Sequence, residues 1–206
     1  MDLLQIEFQT VCQSFGAQTV LSDFSVKLLS GHIISVTGTN GSGKSTFLRL
    51  AGQLLAPDSG RIRVSENGKD LELDVYRSRI GMVSPEMMLY SQLTAEENLR
   101  FYAKLRCRSL SEDAAARLLQ QVGLERAAGF TGKFSTGMRQ RLKLAVLLAA
   151  EPQVWLMDEP GSNMDEAGRQ ILLRLAGEAA QAERLILWAT NDPREEAIAD
   201  ENIHLS

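Results

Sequence analysis

The stretch Gly38-Thr39-Asn40-Gly41-Ser42-Gly43-Lys44-Ser45-Thr46 decides the fold, because it matches the pattern G-x-x-x-x-G-K-[ST] at every fixed position. A largely apolar run at residues 33–37 precedes it, and apolar residues at helical spacing follow it over residues 47–54. A strand, a glycine-rich turn and a helix in this order are typical of a phosphate-binding P-loop. Glycines let successive N–H groups turn inward around an anion, and the start of the helix adds partial positive charge. The stretch therefore predicts a nucleotide site.

The polar side chains of this loop have separate expected roles. Lys44 is long enough to reach the β- and γ-phosphates of a nucleotide, and the Ser45 hydroxyl is expected to bind Mg²⁺. A glycine-rich turn without a ligand is the plain alternative, and the lysine, the serine and the flanking elements argue against it. The loop residues expected to bind the nucleotide are Gly38, Asn40, Gly41, Ser42, Gly43, Lys44, Ser45 and Thr46.

Composition and charge exclude some classes of protein. A net charge of -4 gives no support to broad nucleic-acid binding, which usually needs a basic face. The two cysteines, Cys12 and Cys107, are far apart and lack metal-type spacing, which favours a reduced, cytosolic setting. No uninterrupted apolar run approaches the ~18 residues of a membrane helix. If this protein serves a membrane, another chain crosses it.

Two kinds of hydrophobic pattern divide the chain. Residues 4–36 and 61–83 contain short runs in which apolar and polar residues alternate, as on half-buried strands. Residues 86–152 instead carry apolar residues at helical spacing, and Thr94-Ala95-Glu96-Glu97 is a capping box that begins a helix. The patterns predict an α/β domain with the P-loop at its centre and a helical insert.

A pair of carboxylates follows a second buried strand. Val154-Trp155-Leu156-Met157 is apolar and leads directly into Asp158 and Glu159. Such a strand brings its last residues to the sheet edge where P-loop proteins present catalytic groups. Asp158 is then expected to hold Mg²⁺ through water, and Glu159 to polarise the attacking water as general base. The plain alternative is two exposed acids at a strand end.

Two further residues have both a functional and a structural interpretation. Phe15, beside Gly16, either stacks on a nucleotide base or is an ordinary core aromatic. Ser135 opens a helix and is either a second phosphate contact or an ordinary N-cap. Along that helix one face is apolar, and the polar side chains expected to lie elsewhere are Arg139, Gln140, Arg141 and Lys143.

The order of these motifs resembles the nucleotide-binding subunit of ATP-binding cassette (ABC) transporters over nearly the whole chain. Phe15 falls at the adenine-stacking aromatic of that family, and residues 38–46 match its Walker A loop. Residues 134–141 match the signature motif, usually written LSGGQ with QR following. Residues 154–159 match Walker B with its catalytic glutamate, and residues 162–165 match the D-loop. The signature is the specific element, because other P-loop proteins share only the Walker motifs.

The resemblance implies a fold and a mechanism. The fold is a P-loop NTPase core with an N-terminal antiparallel β-subdomain and a helical insert. One domain spans 1–206, with the core and β-subdomain at 1–85 and 153–206 and the helical subdomain at 86–152. Two subunits pack head to tail around ATP and Mg²⁺. One contributes Lys44, Ser45, Asp158 and Glu159. The facing subunit contributes its signature residues, Ser135, Thr136, Gly137 and Met138.

The resemblance also implies partners and a location. The facing subunit is a second copy or a related ATPase subunit, and ATP hydrolysis drives a separate integral membrane permease. That permease is expected to contact residues 85–95, where the insert meets the core. The chain is then cytoplasmic and peripheral on the inner face of the cell membrane, with no nucleic-acid partner.

Two positions depart from the family pattern. Pro85 stands where the family has a glutamine, and proline has no side-chain oxygen for Mg²⁺ or water; the adjacent Glu86 is expected to point elsewhere. Asn191 stands where a histidine usually reaches the γ-phosphate; it is expected to contact the nucleotide, but it carries no charge. We expect slow hydrolysis with Glu159 still the base. A degenerate site paired with a competent partner chain is the alternative.

Several functions remain open at this point. The length resembles the small haem-exporter subunits of cytochrome c maturation, and the wording of residues 135–141 resembles exporters of drugs, lipids or polysaccharides. A soluble ABC ATPase that assembles another complex, such as an Fe–S scaffold, is the main alternative. The ribosome-associated type normally carries two cassettes and a basic linker, unlike this acidic chain. The signature also argues against a P-loop kinase or GTPase, and no Asn-Lys-x-Asp motif is present.

Overall fold

The computed structural model describes residues 3–205, so the extreme ends of the expected 1–206 domain, Met1, Asp2 and Ser206, lie outside the described residues. The strands are β1 (Leu4–Phe15), β2 (Gln18–Leu29), β3 (Ile33–Thr37), β4 (Ser59–Glu66), β5 (Lys69–Asp70), β6 (Ile80–Val83), β7 (Val154–Asp158), β8 (Leu185–Ala189) and β9 (Glu201–His204). The helices are α1 (Lys44–Ala51), α2 (Leu73–Ser78), α3 (Ala95–Leu105), α4 (Glu112–Gln121), α5 (Thr136–Ala150), α6 (Glu166–Gln181) and α7 (Pro193–Glu196).

The first sheet is antiparallel and has the order β2-β1-β4-β5. Its inner face follows the alternation in the sequence, with Leu4, Ile6 and Phe8 buried along β1. The tight turn between β4 and β5 places Asn67 and Gly68 at positive φ, as a two-residue hairpin requires. This sheet is the expected N-terminal antiparallel subdomain.

The second sheet is parallel and has the order β6-β7-β8-β3-β9. Every residue of β7 and β8 is buried, which explains why their sequences are continuous apolar runs rather than alternating ones. The carboxyl ends of parallel strands meet at one edge of the sheet. That edge carries the P-loop after β3, the two carboxylates at β7 and the Asn191 loop after β8.

Between β6 and β7 the chain forms the expected helical insert, from α3 through α4 and a short 3₁₀ turn at Thr131–Lys133 to α5. The Thr94 hydroxyl accepts from Glu97 N while the Glu97 carboxylate accepts from Thr94 N, so the predicted capping box is confirmed. α3 and α4 both pack on α5. The predicted α/β fold is confirmed. Within residues 3–205, no helix is long and apolar enough to cross a bilayer.

Candidate nucleotide site

The P-loop is shaped by two glycines whose neighbours leave no room for a side chain. Gly38 and Gly43 have φ of 144° and 101°, which L-residues rarely adopt. A Cβ on Gly43 would lie 1.9 Å from Val20 Cγ1, and one on Gly38 would lie 2.3 Å from the Leu205 carbonyl oxygen. The loop is therefore folded tightly against β2 and the end of the chain, and α1 begins directly after it at Lys44.

Lys44 already lies inside the loop. Its ammonium donates to the carbonyl oxygens of Gly38 (2.7 Å) and Thr39 (3.1 Å), and the residue is 6% exposed. These carbonyls accept hydrogen bonds without neutralising the charge, so a phosphate entering the loop would supply the counter-charge that the lysine lacks. Gln18 holds the loop from the other side by donating to Gly41 O at 3.1 Å.

A cleft of about 390 Å³ brings together most of the residues that the sequence assigned to one half of the site; Gly38 and Ser42 do not line it, and Gln18 and Val20 line it without having been expected. Phe15 lies at this cleft with 52% of its surface exposed, as expected of a side chain available for stacking rather than a core aromatic. The lining residues are Phe15, Gln18, Val20, Asn40, Gly41, Gly43, Lys44, Ser45, Thr46, Asp158 and Glu159.

The two carboxylates differ in their backbone. Asp158 ends β7 and is 6% exposed, whereas Glu159 has a φ of 47° and its N–H donates to Ala189 O at 2.9 Å. A left-handed conformation costs a non-glycine residue about 1 kcal/mol or more, and the bond to β8 holds Glu159 in it. Asp158 and the Ser45 hydroxyl line one cleft, and oxygen ligands of this kind, completed by phosphates and water, suit Mg²⁺.

Asn191 reaches the P-loop from the end of β8. Its side-chain amide donates to Asn40 Oδ1 at 2.9 Å, across 151 positions of sequence. Both residues line a second cleft of about 260 Å³, and Glu159 lines this cleft as well as the first. The structure therefore brings Asn191 beside the loop and Glu159, and its contact with the nucleotide stays a prediction.

A buried network fixes the loop that carries Asn191. Glu195 is 2% exposed and accepts from Trp188 Nε1 at 2.9 Å and Thr190 Oγ1 at 2.6 Å. Arg169, from α6, pairs with Asp192. Hydrogen bonds from Arg194, with a smaller effect of Arg169, hold the pKa of Asp192 well below its ordinary value. The loop is held from both ends of its turn, and this network carries no recognisable pattern in the sequence.

The signature residues lie at the start of α5, where a Cβ on Gly137 would lie 3.2 Å from the backbone oxygen of Asn163, a residue of the second cleft. Ser135 caps α5 by accepting from Met138 N at 3.1 Å, so its structural role is observed, while its expected role toward a nucleotide stays a prediction. Ser135 and Thr136 are exposed, and Gly137 and Met138 are partly exposed. Within residues 3–205, no signature residue lines the clefts beside the P-loop.

The loop at Pro85 agrees with its sequence interpretation in one respect, since Glu86 points away from the site and pairs with Arg49 at 2.7 Å.

Two polar side chains on α5 are placed differently from the sequence interpretation. The expectation that Gln140 and Lys143 lie off the packed face of their helix is wrong, since they are 7% and 8% exposed. Both side chains bind backbone carbonyls across the helix–core boundary, and such long-range contacts leave no periodic trace in the sequence.

The P-loop, the paired carboxylates and the parallel sheet define a P-loop nucleotide-binding protein. A family model described as "ABC transporter" matches residues 21–162. The probable multidrug ABC transporter ATP-binding protein YbhF of Escherichia coli is 37% identical over 167 residues, which are 79% of this chain and 28% of YbhF. The cytochrome c biogenesis ATP-binding export protein CcmA of Brucella abortus is 29% identical over 92% of this chain and 86% of CcmA.

A solved structure agrees with these relatives. It is a dimeric, post-hydrolysis state of the ATP-binding cassette MJ0796 bound to ADP and Pi, with a TM-score of 0.82 and 26% identity over 98% of this chain and 94% of that one. The chain belongs to the ABC transporter family of ATP-binding domains, and the resemblance found in the sequence is confirmed. It spans less than a third of the length of YbhF.

Proposed function

We propose that this chain is the ATP-binding and ATP-hydrolysing subunit of an ABC transporter. The observation that carries the proposal is the single cleft in which Lys44, Asp158 and Glu159 meet the P-loop. Lys44 and the loop amides hold the phosphates, and Ser45 and Asp158 hold Mg²⁺, which offsets phosphate charge. Glu159 accepts a proton from the attacking water, and Phe15 stacks on the base.

The second half of the site is proposed to come from another subunit. Ser135 is exposed and Gly137 partly exposed, and within residues 3–205 neither lines a cleft beside the P-loop, which supports a head-to-tail dimer with ATP between the P-loop of one subunit and the signature of the other. The facing subunit is a second copy or a related ATPase subunit. Binding of ATP then joins the subunits, and hydrolysis releases them.

Hydrolysis is proposed to be slow. Proline at position 85 contributes no side-chain oxygen, and Glu86 is engaged by Arg49 on the surface. Asn191 offers an amide donor to the γ-phosphate but no charge. Lys44, Ser45, Asp158 and Glu159 all remain in the cleft, so binding of ATP is retained.

Glu159→Gln tests the assignment of the general base. The variant should bind ATP as tightly as the wild type, because the amide keeps the shape of the side chain. Its hydrolysis should fall by about 10²-fold or more, as measured by phosphate release and by binding of a fluorescent ATP analogue. Glu178→Gln, on the exposed face of α6, is the matched control. Retained turnover in Glu159→Gln would reject Glu159 as the base.

The permease is proposed to contact residues 85–95, and the chain is proposed to lie peripherally on the inner face of the cell membrane. Met88 and Tyr90 support this, because 79% and 50% of their surfaces are exposed at the boundary of insert and core. A soluble ATPase of the Fe–S scaffold type is the alternative. Co-purification with a multi-helix membrane protein, weakened by Met88→Asp, would favour the transporter. Recovery only in the soluble fraction would favour the alternative.

A further inference from the structure

Lys143 is a buried lysine on α5 that does not line the nucleotide cleft. It is 8% exposed, and its ammonium donates to the carbonyl oxygens of Ser84 (2.8 Å) and Pro85 (3.2 Å). Burial, with a smaller contribution from Arg139, lowers the pKa of Lys143. The described residues that line the cleft beside it include no carboxylate. A buried cation without a counter-charge is unfavourable, so stability alone does not account for a lysine at this position.

The segment that Lys143 binds is the entry to the helical insert. Ser84 and Pro85 follow β6 directly, and Pro85 stands where the family pattern has a glutamine. Proline has no polar side-chain atom, and it keeps the preceding residue extended. Lys143 instead binds the backbone at this point, through the carbonyl oxygens of Ser84 and Pro85. The entry of the insert is thereby joined to α5, 59 positions later in the chain.

A second side chain on the same helix makes a parallel connection. Gln140, 7% exposed, donates from Nε2 to Pro160 O at 2.9 Å, directly after Glu159. Residues three apart lie on one face of a helix, so Gln140 and Lys143 together attach α5 to both loops. The N-cap of that helix is the signature residue Ser135, about 12 Å from Lys143 along the helix axis.

We propose that Lys143 is a positioning residue that couples the signature motif to the loop at Pro85 through the backbone carbonyls of that loop. The proposal rests on the head-to-tail dimer proposed above. α5 is one continuous helix that begins at the signature motif. The position of the signature relative to the core therefore depends on where Lys143 attaches this helix. Lys143 therefore sets how readily the signature closes on the ATP bound by the facing subunit, and not how tightly one chain binds ATP.

The test compares dimerisation with nucleotide binding in the Glu159→Gln background, in which slow hydrolysis preserves the ATP-bound dimer. Lys143→Met keeps the length of the side chain and removes its N–H donors. We expect unchanged affinity of the single chain for a fluorescent ATP analogue. The Mg-ATP concentration for half-maximal dimerisation, measured by sedimentation velocity, should rise about tenfold, the size of a hydrogen bond to a charged group.

Lys104→Met, on an exposed part of α3, is the matched control and should leave both quantities unchanged. Lys143→Gln keeps an N–H donor and should fall between wild type and Lys143→Met. Hydrogen exchange should become faster in residues 84–90 and 134–138 of Lys143→Met while β7 and β8 keep their protection. Loss of protection throughout β7 and β8 would assign Lys143 to folding and overturn the proposal.

The remaining outcomes separate the two proposals. If the Glu159→Gln background dimerises with Mg-ATP and Lys143→Met dimerises equally well, the coupling role of Lys143 is wrong and the dimer stands. If the background itself stays monomeric at saturating Mg-ATP, the self-paired head-to-tail dimer is wrong, and the coupling through Lys143 falls with it.

Discussion

Asn191 links the end of β8 to the P-loop through its bond to Asn40, so a side chain at this position is directed toward the expected γ-phosphate. Asparagine supplies one neutral donor there, whereas histidine is longer and carries a positive charge when protonated. We predict that Asn191→His raises the rate of ATP hydrolysis by about tenfold, because a preorganised donor aimed at developing charge contributes this much or more. Steady-state phosphate release at saturating Mg-ATP measures the change.

Asn191→Ala is the companion variant, since it loses the bond to Asn40 without adding a donor. Its hydrolysis should be lower than that of wild type while its affinity for ATP changes little. Equal rates in Asn191→His, Asn191→Ala and wild type would contradict a role for this position in cleavage. The proposed slow turnover would then have to be assigned to Pro85 or to the need for a different partner chain.

At the scale of elements, the start of the insert is held by one buried amide. Asn98 on α3 is fully buried; its Oδ1 accepts from Tyr90 N at 2.9 Å and its Nδ2 donates to Tyr90 O at 3.1 Å. Thr131, just before the signature, also donates to Tyr90 O, and Gly132 N donates to Ser91 O. The surface proposed for the permease is thus hydrogen-bonded to the residues that lead into the signature.

Asn98→Leu is predicted to lower the free energy of unfolding by about 2–3 kcal/mol, because the nearly isosteric leucine removes the acceptor of Tyr90 N and the buried donors to Tyr90 O and Thr94 O. Urea unfolding followed by circular dichroism measures the change. Gln92→Leu, an exposed polar-to-leucine replacement three residues after Leu89, is the control and should change stability by less than about 0.5 kcal/mol. A similar small change in Asn98→Leu would mean that Tyr90 N finds another acceptor.

Elements with strong local patterns were predictable from the sequence. The P-loop, the capping box at Thr94 and the apolar strand ending at Asp158 each depend on neighbours within about one helical turn or one strand, so the residues themselves carry the signal. The helices α2 and α7 were missed. Each is a short connection of one to two turns, in which pattern and propensity are weak.

Contacts between distant segments were not predictable in the same way. Polar residues on a helix are expected to face solvent, but three of them are buried: Asn98, Gln140 and Lys143. Each donates a hydrogen bond to a backbone carbonyl oxygen of another segment. The bond between Asn191 and Asn40 is of the same kind. Single-sequence periodicity reports which face of a helix is apolar, and it contains no information on which distant carbonyl a polar side chain will meet.

At the scale of the whole molecule, one chain presents two unlike surfaces to a nucleotide. One is the cleft of the P-loop, Asp158 and Glu159, and the other is the exposed start of α5 at Ser135. Within residues 3–205, no signature residue lines the cleft of the P-loop. A symmetric pair of chains would form two composite sites, each with a P-loop from one chain and a signature from the other.

Mixing two inactive variants tests this composite arrangement. Lys44→Ala removes the phosphate-binding cation, and Ser135→Arg blocks the signature surface, so each variant alone should lose hydrolysis in both sites of its dimer. In a mixed dimer, the intact P-loop of the Ser135→Arg chain faces the intact signature of the Lys44→Ala chain, while the other site carries both defects. An equal mixture should regain about a quarter of wild-type phosphate release, because half of the dimers are mixed and each has one intact site.

Mixing either variant with the Lys44→Ala/Ser135→Arg double variant should restore nothing. If the equal mixture also stays inactive while both variants remain folded, each chain must use its own signature or a different partner, and the self-paired dimer is wrong.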